Sequence, residues 1–141
     1  MAVICISGYM DPLHVGHLEY ISRSKALVGT GGKLIVIVNN DLQACLKKGK
    51  SFMPVQERIA IIRALRDVDE VVESIDQDRT VCATLRLVHQ QYGVTVFANG
   101  GDQFNTGIPE APICKELGIE LVDSLGDKIQ SSSWLTGIKK N

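Results

Sequence analysis

The chain opens on Val3-Ile4-Cys5-Ile6-Ser7-Gly8-Tyr9-Met10-Asp11-Pro12-Leu13-His14-Val15-Gly16-His17. The first part is a run of apolar and β-branched residues, read as a buried strand over Val3–Ser7. After the turn, Leu18, Ile21 and Val28 recur at helical spacing, which predicts a helix from about Val15 to Val28. Two imidazoles, His14 and His17, therefore stand at a strand-to-helix turn with Gly16 between them. A helix start is electropositive and rich in unpaired N–H groups, so it suits phosphate. Gly16 has no side chain to block close approach, and both histidines can face one anion.

The rest of the chain repeats this strand-then-helix rhythm. Further strands are expected at Lys33–Val38, Val68–Val72, Val94–Ala98 and Ile119–Val122. Between them, Asn39-Asn40-Asp41 can cap a short helix ending near Leu46, with a polar loop over Lys47–Met53. Pro54 pre-sets a helix reaching about Arg66, and Asp76–Asp78 caps one that Gly93 stops. Pro109 opens another that Gly118 closes, and Ser131–Ser133 begin a last one. Five short apolar strands separated by helices imply an α/β fold: a Rossmann-like, doubly wound parallel sheet with helices on both faces. Ligands of such sheets bind beyond the carboxyl ends of the strands. The loops after strands one, two and four, which hold the polar motifs, leave from that end.

Size and composition narrow the classes. The chain has 141 residues and 45% apolar residues, which suits one domain over 1–141 with one core. The net charge of −1, with no basic tract, argues against a nucleic-acid partner. No apolar stretch nears a membrane span, and the first strand is too short and lacks the basic leader of a signal peptide. Cys5, Cys45, Cys82 and Cys114 form no CxxC pair and read as small hydrophobes in a reducing, cytoplasmic setting.

The motifs together resemble the cytidylyltransferase-like nucleotidyltransferases. His14-Val15-Gly16-His17 is similar to their HxGH element. Lys47-Lys48-Gly49-Lys50, Glu57-Arg58 and Arg66-Asp67-Val68-Asp69-Glu70-Val71 then follow in the family's order. Asn99-Gly100-Gly101-Asp102-Gln103 resembles its GGD segment, and Lys128-Ile129-Gln130-Ser131-Ser132-Ser133-Trp134 its ISTT-type element. The resemblance implies the strand order 3-2-1-4-5. It also implies transfer of CMP or AMP from CTP or ATP to a small phosphorylated acceptor (a sugar, polyol or amino-alcohol phosphate), with release of pyrophosphate. Mg²⁺ and a homodimer are implied by the same resemblance.

Carried onto this chain, the resemblance makes His14, His17 and Lys47 the catalytic set. Gly8, Tyr9, Met10, Asp11, Gly16, Asn99, Gly101, Asp102, Gln130, Ser131, Ser132 and Ser133 would bind the nucleotide. Lys50, Arg58 and Arg66 would contact substrate or phosphate, and Asp11 would help hold the metal. Each has a plainer alternative: Lys48 as a solvated lysine, Arg58, Arg66 and Asp69 in structural ion pairs, Asp11 as a helix cap. The arginine that the glycerol-phosphate and choline-phosphate enzymes carry before the serine element has no counterpart here, so CTP and ATP both stay open. An adenylyltransferase for a cofactor precursor and a non-catalytic nucleotide-binding module are the competing readings. The segment Asn105–Glu110 matches no family element and is a candidate for the acceptor pocket.

Overall fold

The computed structural model describes residues 2–98 and 108–122. Within these, β1 (Val3–Gly8), β2 (Lys33–Val38), β3 (Glu70–Glu73), β4 (Val96–Ala98) and β5 (Glu120–Val122) form one sheet in the order β3-β2-β1-β4-β5. Every pairing is parallel, with Val3 opposite Lys33 and Gly8 opposite Val38 in the longest ladder. The expected order therefore holds. The winding reverses beside β1, so the loop that follows Gly8 sits where α/β sheets bind ligands.

Helices cover both faces, as the unbroken apolar strands require. On one face Ile4, Ile6 and Val36 pack with Ile21 of α1 (Val15–Val28) and Val55, Ile59 and Ile62 of α3 (Val55–Arg63). On the other, Cys5, Ile35, Ile37 and Phe97 pack with Val81, Leu85 and Val88 at α4 (Cys82–Tyr92) and Cys114 of α5 (Ala111–Leu117). Burial of the Cys5 thiol pushes its pKa far up, as expected for an inert core cysteine.

Several boundaries differ from the sequence reading, among them the start of β4 at Val96 rather than Val94. The short helix α2 runs Asp41–Lys48, so Lys47 and Lys48 lie in its last turn rather than in a loop. Gly49 ends it in the left-handed region at φ 87°, which a residue with a Cβ adopts only under strain. Helix α3 stops at Arg63 and β3 begins at Glu70; just before it, Asp69 N–H donates to the Leu34 carbonyl at 3.0 Å and the Asp69 carboxylate accepts the Leu34 amide proton at 2.8 Å. Helix α4 starts at Cys82, yet Asp76 still caps it from outside: its carboxylate accepts the Ala83 and Thr84 amide protons at 2.9 and 3.0 Å. The expected helix from Ser131 lies outside the described residues.

Candidate active site

The strand β1 delivers the chain to a tight turn. Met10 takes φ 51°, unusual for a side chain of its size, and the Asp11–Pro12 bond is cis. The Met10 side chain is wholly buried in the α1/α3 core. Its expected nucleotide contact is thus corrected for the side chain: Met10 is a packing residue, and the core holds it in place.

His14 is the N-cap of α1. Its Nδ1 accepts the Gly16 amide proton at 3.1 Å, and Nδ1 of His17 accepts the His14 amide proton at 3.2 Å. The two rings stack with centroids 3.9 Å apart at 26°. An accepting Nδ1 assigns the proton of each neutral ring to Nε2. Both rings are then Nε2–H donors in fixed orientation at a helix start, the arrangement a phosphate oxygen requires. Burial lowers the pKa of His14, which favours this neutral form.

Lys47 projects from the last turn of α2 with Nζ 4.1 Å from the centre of the Tyr9 ring. That contact ties the lysine to the residue just after β1, on the same carboxyl-end rim as the histidines. The structure thus brings Tyr9, His14, Gly16, His17 and Lys47 to one end of the sheet. Gly8 closes β1 beneath them.

Below this rim lies a polar scaffold. The wholly buried Asp11 carboxylate accepts the Phe52 and Met53 amide protons at 2.9 and 2.6 Å, and Lys48 Nζ approaches it at 3.5 Å. Lys48 also donates to the Asp11 carbonyl. Its side chain is 4% exposed, which corrects the solvated reading. Asp11 does not fit a metal: its oxygens face backbone N–H groups inside the protein, and it is a loop anchor. Among the described residues no group of three or more His, Cys, Asp or Glu side chains could hold an ion.

For Arg58 the geometry fits the structural alternative. Its guanidinium is fully buried and donates to the carbonyls of Met53 at 2.8 Å, Tyr9 at 2.7 Å and Asn39 at 2.6 Å, and to Asp41 at 2.8 Å. It clamps the ends of β1 and β2 to the segment before α3. Asp41 completes the clamp by accepting from Ser51 Oγ at 2.9 Å and Val55 N–H at 3.0 Å. Burial works to raise the Asp41 pKa, but these bonds and the arginine charge outweigh it and hold it below the usual value.

Arg66 is placed elsewhere. It is exposed in the turn before β3, at the amino end of the sheet, with the whole strand length between it and His14. Asp69, at the same end, pairs with Lys25 at 2.6 Å in the structural role. Lys50 remains on the rim side, its Nζ 4.8 Å from the Phe52 ring centre. Asn99, Gly101, Asp102, Gln130, Ser131, Ser132 and Ser133 lie outside the described residues.

One residue of this end escaped the sequence reading: Arg79 lies beside the Tyr9 hydroxyl. Glu110, the last residue of the segment read as a candidate for the acceptor pocket, is buried beneath the start of α4. The signal was available in the topology: the loop after the third strand, which carries Arg79, must also leave from the carboxyl end.

A mononucleotide-type α/β sheet with paired imidazoles at its first helix start defines a class of phosphate-handling folds. The sequence profile of the family described as "Cytidylyltransferase-like" matches residues 5–128, and the chain belongs to that nucleotidyltransferase family. It is 32% identical over 124 residues to the "Bifunctional protein HldE" of Streptomyces coelicolor, covering 85% of this chain and 24% of that protein. It is 39% identical over 70 residues to the "FAD synthase" of Pyrococcus abyssi, covering 49% of this chain and 45% of that protein. The chain thus spans less than half the length of these relatives. The crystal structure of the lipopolysaccharide core biosynthesis protein from Thermoplasma volcanium has the same fold, with a TM-score of 0.68 at 23% identity over 88% of this chain and 96% of that one. No helix among the described residues is long and apolar enough to cross a membrane.

Proposed function

We propose that this chain transfers CMP or AMP from a nucleoside triphosphate to a small phosphorylated acceptor and releases pyrophosphate. The observation that carries the reading is the stacked His14–His17 pair, each Nδ1 fixed by a backbone N–H at the start of α1. Membership of the family and the Lys47 contact with Tyr9 on the same rim support it.

The chemistry follows from charge. An acceptor phosphate oxygen attacks the α-phosphorus and forms the new P–O bond. The bond to the bridging oxygen breaks, and its electrons leave with pyrophosphate. A phosphate monoester is already ionised near neutral pH, so no side chain need act as nucleophile. Positioning and neutralisation remain as the protein's tasks. The Nε2–H groups of His14 and His17 would donate to the α-phosphate and the bridging oxygen, and the Lys47 ammonium would draw charge toward the leaving group. The divalent cation that the family resemblance implies would be carried by the phosphates of the nucleotide. No described side chain is assigned to it.

A second reading keeps the site and changes the acceptor. The similarity to an FAD synthase favours an adenylyltransferase for a cofactor precursor. One experiment tests both. CTP and ATP are each paired with sugar, polyol and amino-alcohol phosphates and with flavin mononucleotide, in the presence of Mg²⁺, and pyrophosphate is measured. Release with one pairing and its loss in His17→Ala is the expected result. Nucleotide binding without pyrophosphate from any pairing would overturn catalysis and leave a binding module.

A further inference from the structure

Ile108-Pro109-Glu110 has no part in the phosphate chemistry, yet it is built into the same end of the sheet. Glu110, 8% exposed, stands at the N-cap of α5. Its Oε2 accepts the amide proton of Val81, the N-cap of α4, at 3.2 Å and lies 3.9 Å from Cys82 Sγ. That thiol donates in turn to the Pro109 carbonyl at 3.5 Å. A carboxylate offers about four lone-pair directions, so these bonds leave acceptor capacity unused. Burial raises its pKa, with Asp76 and Asp78 adding to the effect and the Val81 amide opposing it.

Tyr9 supplies the second observation. Side chains alternate along β1: Val3 and Cys5 belong to the core beneath α4 and α5, Ile4 and Ile6 to the opposite one. Tyr9, two residues beyond Ser7, continues the α4/α5 side, where Glu110 lies. Its hydroxyl oxygen is buried and forms no hydrogen bond of good geometry among the described residues. Burial raises the phenol pKa, while the neighbouring Arg79 guanidinium pulls it back. A buried polar oxygen in this condition is a place where a ligand group or a water completes the bonding. The face of the same ring carries the Lys47 ammonium. Tyr9 therefore joins the phosphate rim to the Glu110 side of the site.

We propose that the Tyr9 hydroxyl and the Glu110 carboxyl form the acceptor subsite and bind the hydroxyl groups of a polyol or sugar phosphate, whose phosphate faces Lys47 and Arg79. The inference rests on the nucleotidyl-transfer reading and narrows it. Oxygen donors and acceptors fit hydroxyl groups. A quaternary amine needs open aromatic faces, and the Tyr9 face already holds a cation that would repel it.

The test compares binding and turnover of glycerol 3-phosphate, a hexose 1-phosphate and phosphocholine in the wild type, Tyr9→Phe and Glu110→Gln. Both substitutions keep shape and remove only hydrogen-bonding or charge, and thermal unfolding checks that each variant is folded. The expected result is binding of a hydroxyl-bearing phosphate that weakens roughly tenfold or more in either variant, read as calorimetric Kd and acceptor KM. In Glu110→Gln the nucleotide KM should stay within about twofold, since this carboxylate acts on the acceptor side. Unchanged acceptor affinity in folded Tyr9→Phe and Glu110→Gln, preference for phosphocholine, or no binding of any hydroxyl-bearing phosphate by the wild type would each overturn the subsite. Acceptor binding that weakens in the variants without pyrophosphate release from any pairing would uphold the subsite and overturn the transfer reaction instead.

Discussion

His17 accepts the amide proton of His14 through Nδ1 at 3.2 Å, and His14 accepts that of Gly16 in the same way at 3.1 Å. The helix start thus spends its own N–H groups on orienting two rings, and each neutral ring carries its proton on Nε2. His17→Ala should lower turnover by about 10²–10³-fold while nucleotide affinity changes far less, because the donor matters most as charge builds. His17→Asn, which keeps a side-chain acceptor for the His14 amide, should restore stability without restoring rate. Steady-state kinetics beside thermal unfolding separates the two effects.

Burial holds the His14 pKa below its ordinary 6.5. The folded state therefore binds this proton less readily than the unfolded chain. The resulting stability is complete above about pH 6.5 and declines as the pH falls through that value toward the lower folded-state pKa. The cap bond from Gly16 is lost once Nδ1 is protonated. Urea unfolding at pH 7.5 and pH 5.5 should show the drop, and His14→Asn should flatten it.

Lys47 reaches the rim from the last turn of α2, with its ammonium against the Tyr9 ring. Lys47→Gln removes the charge and keeps much of the length. We expect turnover to fall by about 10²-fold with the thermal midpoint little changed, as for the loss of one preorganised charge at the phosphates. Equal turnover in the two proteins would remove this lysine from the reaction.

Asp11 and Arg58 are expected to behave as scaffold. Arg58→Ala leaves the carbonyls of Tyr9, Asn39 and Met53 without their donor and should cost about 3–5 kcal/mol in urea unfolding. Lysine should rescue little, since it lacks the guanidinium fork. Asp11→Asn should also destabilise, yet the Mg²⁺ concentration for half-maximal activity should stay within about twofold, because the carboxylate holds backbone rather than cation. A large shift in that concentration would return Asp11 to the metal.

Arg66 gives the contrasting case. It lies at the amino end of the sheet, so Arg66→Ala should leave kcat and both KM values within about twofold of wild type, as expected for an exposed residue remote from the site. A tenfold loss would mean that the site extends around the sheet.

Much of the arrangement was legible in the chain itself. Apolar runs of four to six residues, broken by helical spacing, can bury themselves only in a parallel sheet covered on both faces, and that architecture is found. The HxGH stretch was legible because its chemistry is local: cap, glycine and both rings lie within four consecutive residues. Arg58 and Asp11 kept two readings open because a charged side chain near a phosphate site carries the same letter whether it faces a ligand or the protein interior. Deciding partners are far away in the chain: Phe52 is 41 residues from Asp11, and Tyr9 is 49 from Arg58. Lys47 was displaced from loop to helix because the left-handed Gly49, rather than the lysines, ends α2.

The sequence by itself determined the strands, the helix that presents the two imidazoles, and the end of the sheet at which phosphate chemistry can occur. These depend on periodicity and on groups a few residues apart. Tertiary structure alone decided which charges face inward, that Asp11 and Arg58 fasten the rim while Arg66 lies at the far end, and that the Lys47 ammonium meets the Tyr9 ring. Burial and long-range hydrogen bonding are properties of the folded chain, because each depends on partners that only the crossovers bring together.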